Sequence, residues 1–350
     1  MRRFPISDIL PWIKVAPNEI DAILGAERFS LEKLARLRGA LISLPMATNA
    51  AMTSFALGSL GRLEAGEQSD LDLAFLYDSR SIECSDAEAF RRRIVETLRA
   101  HSDIPEKTFR NAIDIRELAR NVGGSRDSNI NLTYRALLLT EGRWLHNSPA
   151  AESFRSMIFS VYASGVVSRG RFLNSLGNDL HRYYRTLCVD YRFKVEEQDK
   201  AWAMRIMKLR HARKLWHLAN IALQCWFVDQ WRKQGRDIYS AEVSSNDAQD
   251  HSLAGWLSEP PLVRISMAMR HFGEAELCRP VFLAYNYFLD AMDSQAVRDE
   301  LGVLAHDARY QSPIYVALRE NAEAFDSACA AVIERLWRHS SEYLVRFCIL

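Results

Sequence analysis

The chain has 350 residues, 48% hydrophobic and 25% charged, with 45 Lys and Arg against 44 Asp and Glu. This is an ordinary globular composition, long enough for two domains or one large one. Its charge balance excludes a whole-protein field that would draw in nucleic acid or acidic lipid, though not a local basic cleft. The six cysteines (Cys84, Cys188, Cys225, Cys278, Cys329 and Cys348) include no C-x-x-C pair. That spacing sets aside a disulfide framework or a structural zinc site and points to reduced thiols in a cytoplasm. The opening MRRFPISDILPWIK lacks the apolar stretch of a secretory signal, and no run reaches the apolar length of a membrane span, so no membrane partner is expected.

Residues 6 to 48 read as helical. In SLEKLARLRGALISL the apolar positions fall three and four apart, with Ser30 as N-cap and the periodic run starting at Leu31. TSFALGS and DLDLAFLYD then predict two strands, near 52–58 and 70–77, joined by a loop containing Gly58, Gly61 and Gly66. The second strand alternates Asp70 and Asp72 against Leu71 and Leu73 before turning apolar. Residues 85 to 101 predict an amphipathic helix, KTFRNAIDI a third strand near 108–114, and Ser128 or Asn129 the start of a helix through RALLLTEGRWL. From about residue 148 the pattern is nearly all helical. A long periodic run over 198–233 is rich in Trp, Leu and Met, and Pro260, Pro261 and Pro280 break the pattern. The expected fold is α/β plus α: a small mixed-sheet domain with N-terminal helices over 1–147, followed by a mainly helical domain over 148–350.

The chemistry concentrates in FALGSLGRLEAGEQSDLDLAFLYD, Phe55 to Asp78. Two carboxylates two residues apart on a strand project from one face, while Leu71 and Leu73 enter the core and hold them. Magnesium takes oxygen ligands and is usually held by one or two carboxylates plus substrate phosphates. Two divalent ions can stabilise the attacking and leaving oxygens of a displacement at phosphorus. Gly58 lets the backbone approach a phosphate, and the Ser59 hydroxyl can donate to it. A D-x-D in a strand is by itself common surface alternation; the ordered combination of strand, Gly-Ser, Gly-Arg-x-Glu, Ser-Asp-x-Asp and second strand is far narrower.

GSLGRLEAGEQSDLDL resembles the signature of the polymerase-β-like nucleotidyltransferase superfamily. Its spacing is especially similar to the uridylyltransferase domain of bacterial nitrogen-sensing enzymes, where Gly-Gly or Gly-Ser precedes Gly-Arg-x-Glu and Ser-Asp-x-Asp. The resemblance implies a mixed-sheet nucleotidyltransferase domain that binds Mg²⁺ or Mn²⁺ and uses a nucleoside triphosphate such as ATP as substrate. Asp70 and Asp72 would bind metal, Gly58, Ser59 and Ser69 would contact the triphosphate, and Arg62 and Glu64 would brace the loop or line the nucleotide site. A third carboxylate on a later strand, serving metal and catalysis, would be Asp114 in NAIDI, with Glu106 as competitor. Asp114 can equally cap a helix beginning near Arg116, with Glu117 completing a capping box. RALLLTEGRWLHN, NDLHRYYRTLCVDYRFK and WAMRIMKLRHARKL are similar to segments of bacterial proteins that join such a domain to a helical tail. The chain is too short for the hydrolase and regulatory domains of the nitrogen-sensing enzymes, and His306-Asp307 is a lone pair read as a surface helix feature.

Arg205, Lys208, Arg210, Arg213 and Lys214 crowd one predicted helix, and Arg182 and Arg185 another. Such cations suit the phosphates of a triphosphate or a polyanionic acceptor; equally, they suit ion pairs with acids such as Asp179 and Asp190. By the resemblance, Lys208, with Arg205 beside it, would cover the triphosphate. Trp202, Trp216, Trp226, Trp231, Tyr183 and Tyr184 sit at helical spacing as core, with one of the two tyrosines facing out. His181, His211 and His217 have no zinc spacing. The function expected is metal-dependent transfer of a nucleoside monophosphate to a protein or small-molecule hydroxyl, with release of pyrophosphate. The alternatives are synthesis of a cyclic or linear oligonucleotide signal, terminal transfer to tRNA or other RNA, and an inactive nucleotide-binding regulatory protein.

Overall fold

The computed structural model describes residues 4–42, 44, 51–104, 111–120, 122–163, 172–196, 201–235 and 251–349. The chain divides into two compact units. One comprises Ala26–Phe172 and Ser240–Glu259; the other comprises Met1–Gly25, Leu173–Tyr239 and Pro260–Leu350. The division read from the sequence, at 147/148, falls at the start of a helix that packs within the first unit.

Short turns at Ile6–Asp8, α1 (Leu10–Ile13) and Pro17–Glu19 precede α2 (Asp21–Ile42). The expected helix start at Ser30 is therefore wrong. Ser30 lies in mid-helix and is fully buried, its hydroxyl accepting from Ala65 N at 3.0 Å. A short polar residue before an apolar run looks like a cap, but its partner is 35 residues away.

The first unit carries a four-stranded sheet of order β3-β2-β1-β4, built from β1 (Met52–Ala56), β2 (Leu73–Tyr77), β3 (Ile113–Asp114) and β4 (Arg143–His146). β1 runs antiparallel to β2 and to β4, and β2 runs parallel to β3, so the sheet is mixed. Every residue of β1 and β2 is buried, which is why β2 reads as a continuous apolar run; β1 also buries Thr53 and Ser54. Two strand expectations need correcting. β2 starts at Leu73 rather than 70, and β3 is two residues long, with 107–110 of KTFRNAIDI outside the described residues. β4 was read as the end of a helix.

Between β1 and β2 lies a single turn of helix, α3 (Gly58–Arg62). After β2 comes α4 (Cys84–Arg99), burying Ala87, Phe90, Ile94 and Leu98 at spacings of three and four. These residues join Leu34, Leu37 and Leu41 of α2, together with Phe75 and Tyr77 of β2, in one core. Burying each of the Leu, Ile and Phe side chains is worth about 1.5–3 kcal/mol. α5 (Ile115–Arg120) and α6 (Asn129–Thr140) follow, with Ser128 capping α6 through a 3.2 Å bond from Asn131 N. α7 (Ser148–Ala163) packs on β1 and α5.

The second unit is helical, as expected: α8 (Phe172–Glu196), α9 (Trp202–Lys208), a π-helical segment over Leu209–Arg213, and α10 (Lys214–Lys233). After α11 (His251–Leu257), which belongs to the sheet unit, come α12 (Pro261–His271), α13 (Arg279–Asp293), α14 (Gln295–Val303) and α15 (Pro313–Tyr343). Pro261, Pro280 and Pro313 occupy first-turn positions, so they start helices where the missing N–H costs nothing. Trp216, Phe282, Tyr285 and Phe325 are fully buried in this unit's core. Trp226 and Tyr183 are buried too, while Tyr184 is half-buried. His306 and Asp307 are exposed in a turn after α14 rather than on a helix. Among the described residues no helix is long and apolar enough to cross a membrane, and the six cysteines are free thiols.

Candidate functional site

The loop from β1 to β2 folds back so that both halves of the motif meet. Leu57 N donates to Asp72 O at 2.9 Å, extending the β1–β2 pairing by one rung. Gly58 then turns with φ +66°, in the left-handed region that favours glycine. A Cβ at Gly58 would stand 2.7 Å from Asp72 Oδ2. The missing side chain is therefore the space in which the Asp72 carboxylate lies. Leu71 and Leu73 are buried at 0% and 4% exposure, while Asp70 is exposed and Asp72 half-buried. The alternation read from the sequence thus persists through a segment that precedes the strand itself, with both aspartates directed away from the core.

The Gly61-Arg62-x-Glu64 part of the motif is a buried clamp. Arg62 Nε donates to Glu64 at 2.7 Å and Nη1 to Glu141 at 2.5 Å, with side-chain exposures of 6%, 7% and 0% for Arg62, Glu64 and Glu141. Arg143 Nε donates to Gly61 O at 3.0 Å. A Cβ on Gly61 would stand 1.9 Å from the Glu141 carbonyl oxygen, so only glycine lets α3 lie against the corner between α6 and β4. Arg62 accordingly braces the loop. Glu141 was not foreseen: it lies 79 residues from Arg62 along the chain.

Ser69 closes the turn before the aspartates. Its hydroxyl accepts from Gly66 N at 3.1 Å and its N–H bonds Gly66 O at 3.1 Å. Lys33 of α2, buried at 7% exposure, donates to Ser69 O at 3.4 Å. Burial pushes the Lys33 pKa down and Arg36 adds to this, while Asp70 and Asp103 pull it back up. Asp103 is attached to the same segment, its carbonyl accepting from Leu71 N at 2.9 Å. Sequence reasoning missed both Lys33 and Asp103.

Asp114 is not brought to the pair. It sits opposite Tyr77, at the far end of β2, which at about 3.3 Å per residue is roughly 16 Å along the strand from Asp72. Its carboxylate accepts from Ser79 N at 3.3 Å and Arg116 N at 3.1 Å, so it caps α5 in the manner of the capping alternative. Beside it Arg116 grips Asp78 with two bonds of 2.6 and 2.8 Å, holding the Asp78 carboxyl down to about 2. Glu106 lies outside the described residues. Among the described residues no three His, Cys, Asp or Glu side chains are grouped to hold a metal. A polar cavity of about 480 Å³, lined by residues including Ser79, Arg80, Asp86 and Arg93, also lies at this far end and not at the aspartates.

Arg205 and Lys208 belong to α9 in the helical unit, Lys208 exposed and Arg205 half-buried. Among the neighbouring cations, Lys214 pairs with Asp326, and Arg182 with Asp179 at 3.1 Å. The three histidines are enclosed. His181 and His217 meet edge-on at 4.9 Å, and burial lowers them to about 4 and about 3; His211 stacks on Phe288 at 4.4 Å and is lowered to about 4.

Chemically, the pair offers only oxygen donors. The Asp72 carboxylate against Gly58, with the exposed Asp70 two residues before it, suits a hard divalent cation that completes its shell with phosphate oxygens and water; the two do not make a self-sufficient cage. Comparison with protein-family models, curated proteins and solved structures gives no match to this chain.

Proposed function

We propose that this chain is a metal-dependent nucleotidyltransferase that moves a nucleoside monophosphate from a triphosphate to a hydroxyl of a protein or small molecule, releasing pyrophosphate. The observation that carries the reading is the approach of Asp72 to Gly58, with the carboxylate occupying the space a side chain would fill. Residues 14 apart in the chain are thus brought to one point: a carboxylate suited to a divalent cation, seated against a glycine turn whose missing side chain makes the room for it.

In this reading Asp70 and Asp72 hold Mg²⁺ or Mn²⁺, which when bound supplies charge stabilisation at the transferring phosphorus. Gly58 seats the Asp72 carboxylate, and the hydroxyl of Ser59, part-exposed at the start of α3, donates to a phosphate oxygen. The Arg62–Glu64–Glu141 clamp keeps α3 in register with Asp72. The experiment is incubation with each labelled nucleoside triphosphate and Mg²⁺ or Mn²⁺, followed by separation of the protein, RNA and small-molecule fractions of a lysate. Label in the protein or small-molecule fraction supports the reading. Label confined to RNA, or to an oligonucleotide made from the triphosphate alone, replaces it with the corresponding alternative.

One observation favours a second reading, a nucleotide-binding regulatory protein without transfer. Asp114 caps a helix, and the described residues include no third carboxylate grouped with the pair. Nucleotide binding with no label in any fraction would support it.

A further inference from the structure

Burying a lysine is costly unless its charge is compensated, yet α2 places Lys33 under the segment that carries the aspartates. The helix grips that loop at both ends: Ser30 Oγ accepts from Ala65 N at 3.0 Å, and Lys33 Nζ donates to Ser69 O at 3.4 Å. Residues three apart share a helix face, so a single face of α2 spans the turn from Ala65 to Ser69. Phe29, one turn back, lies 5.7 Å from Lys33 Nζ. The hydrogen bond alone does not require a charge, because a neutral donor also satisfies a carbonyl, if less strongly. What a charge adds is its field, and the acids within that field are Asp70 and Asp103.

We infer that Lys33, held on the Ser69 carbonyl beside Asp70, is a positioning residue whose buried charge offsets Asp70 and Asp103 in the absence of metal and keeps the intrinsic affinity of the site for a divalent cation low, so that the cation enters with the triphosphate. This rests on the nucleotidyltransferase reading of Asp70 and Asp72. The logic is electrostatic. A fixed ammonium lowers the repulsion among nearby carboxylates when no cation is present. Once a divalent ion binds, the same ammonium repels it, and a triphosphate brings the negative charge that relieves the repulsion. A unit charge several ångströms from a divalent ion, at a high effective dielectric, changes its affinity on the order of three- to tenfold.

The test is Mn²⁺ binding to the full-length protein without nucleotide, read from the electron paramagnetic resonance of free Mn²⁺. Lys33→Gln keeps a donor for the Ser69 carbonyl and removes the charge; it is expected to tighten Mn²⁺ binding by about three- to tenfold. Lys33→Arg keeps the charge and is expected to stay near wild type. A purely structural lysine predicts the opposite, unchanged or weaker binding in Lys33→Gln, and that result overturns the inference. Should Lys33→Gln fail to fold, the exposed Asp103→Asn gives the same test from the acidic side: weakened Mn²⁺ binding supports a shared field, and unchanged binding overturns it. Adding Asp72→Asn to Lys33→Gln separates the two levels. Loss of the gained binding keeps the metal reading, while a gain that persists without Asp72 refutes that reading itself.

Discussion

Replacing Arg62 with methionine removes the cation from a site where Glu64 and Glu141 are buried at 7% and 0% side-chain exposure. The methionine fills much of the same space, so the cost is electrostatic: two carboxylates left without their partner. Breaking a buried ion pair by removing one member costs about 3–5 kcal/mol, a large part of the roughly 5–15 kcal/mol that holds a domain together. For a unit of this size the melting temperature should fall by roughly 10 °C. Adding Glu141→Gln removes one of the stranded charges and should recover about 1–2 kcal/mol, since members of one network couple. Urea denaturation of the two single variants and the double variant measures the cycle. Arg62→Lys should fall between, because a point charge cannot reach both carboxylates as the guanidinium fork does. If Arg62→Met keeps wild-type stability and loses only nucleotide binding, the clamp is not structural and Arg62 serves the triphosphate directly.

Gly58→Ala meets two obstacles, a left-handed φ of +66° and the Asp72 carboxylate 2.7 Å from the new methyl. It should cost about 1–2 kcal/mol of stability but displace Asp72 enough to abolish Mn²⁺ and nucleotide binding, as titration of the folded variant would show. Lys208→Ala and Arg205→Ala should weaken triphosphate binding and make it less sensitive to salt; unchanged affinity in both leaves the basic helix a solvated or acceptor-binding face. For the histidines the sign follows from depressed values. The unfolded chain takes up protons near pH 6.5 while folded His181, His211 and His217 resist until about 4, 4 and 3. The helical unit should therefore lose stability as pH falls from about 6.5 toward 4, and His217→Phe should flatten that loss in acid denaturation. Asp78 acts at lower pH: its stabilisation by Arg116 is present above about 4 and fades as pH drops toward about 2, and Asp78→Asn should remove this part of the acid sensitivity.

What could be read from the sequence was what local pattern encodes. The apolar runs around Phe55 and Phe75 gave two adjacent strands, and the alternation of Asp70 and Asp72 with buried leucines gave their direction. What could not be read depends on partners far along the chain. Ser30 looks like a cap, yet its hydroxyl serves Ala65 N. Asp114 has the apolar neighbours of a strand carboxylate. Its parallel register with Tyr77 puts it at the wrong end of β2, and no local pattern specifies that register. β4 was hidden because RWLH follows a helix after a two-residue connection, Glu141-Gly142, with no run of turn residues to separate them. Nothing local sets Lys33 apart in its helix, and only the fold shows it beneath Ser69.

The most direct test of the central claim is the Asp72→Asn variant, which keeps the side chain's shape against Gly58 and removes its charge. With the labelled triphosphate and acceptor fraction that give transfer in the wild type, pyrophosphate release should fall below detection, while the circular dichroism spectrum and melting temperature stay close to wild type. Full pyrophosphate release from a folded Asp72→Asn protein would contradict the two-aspartate mechanism.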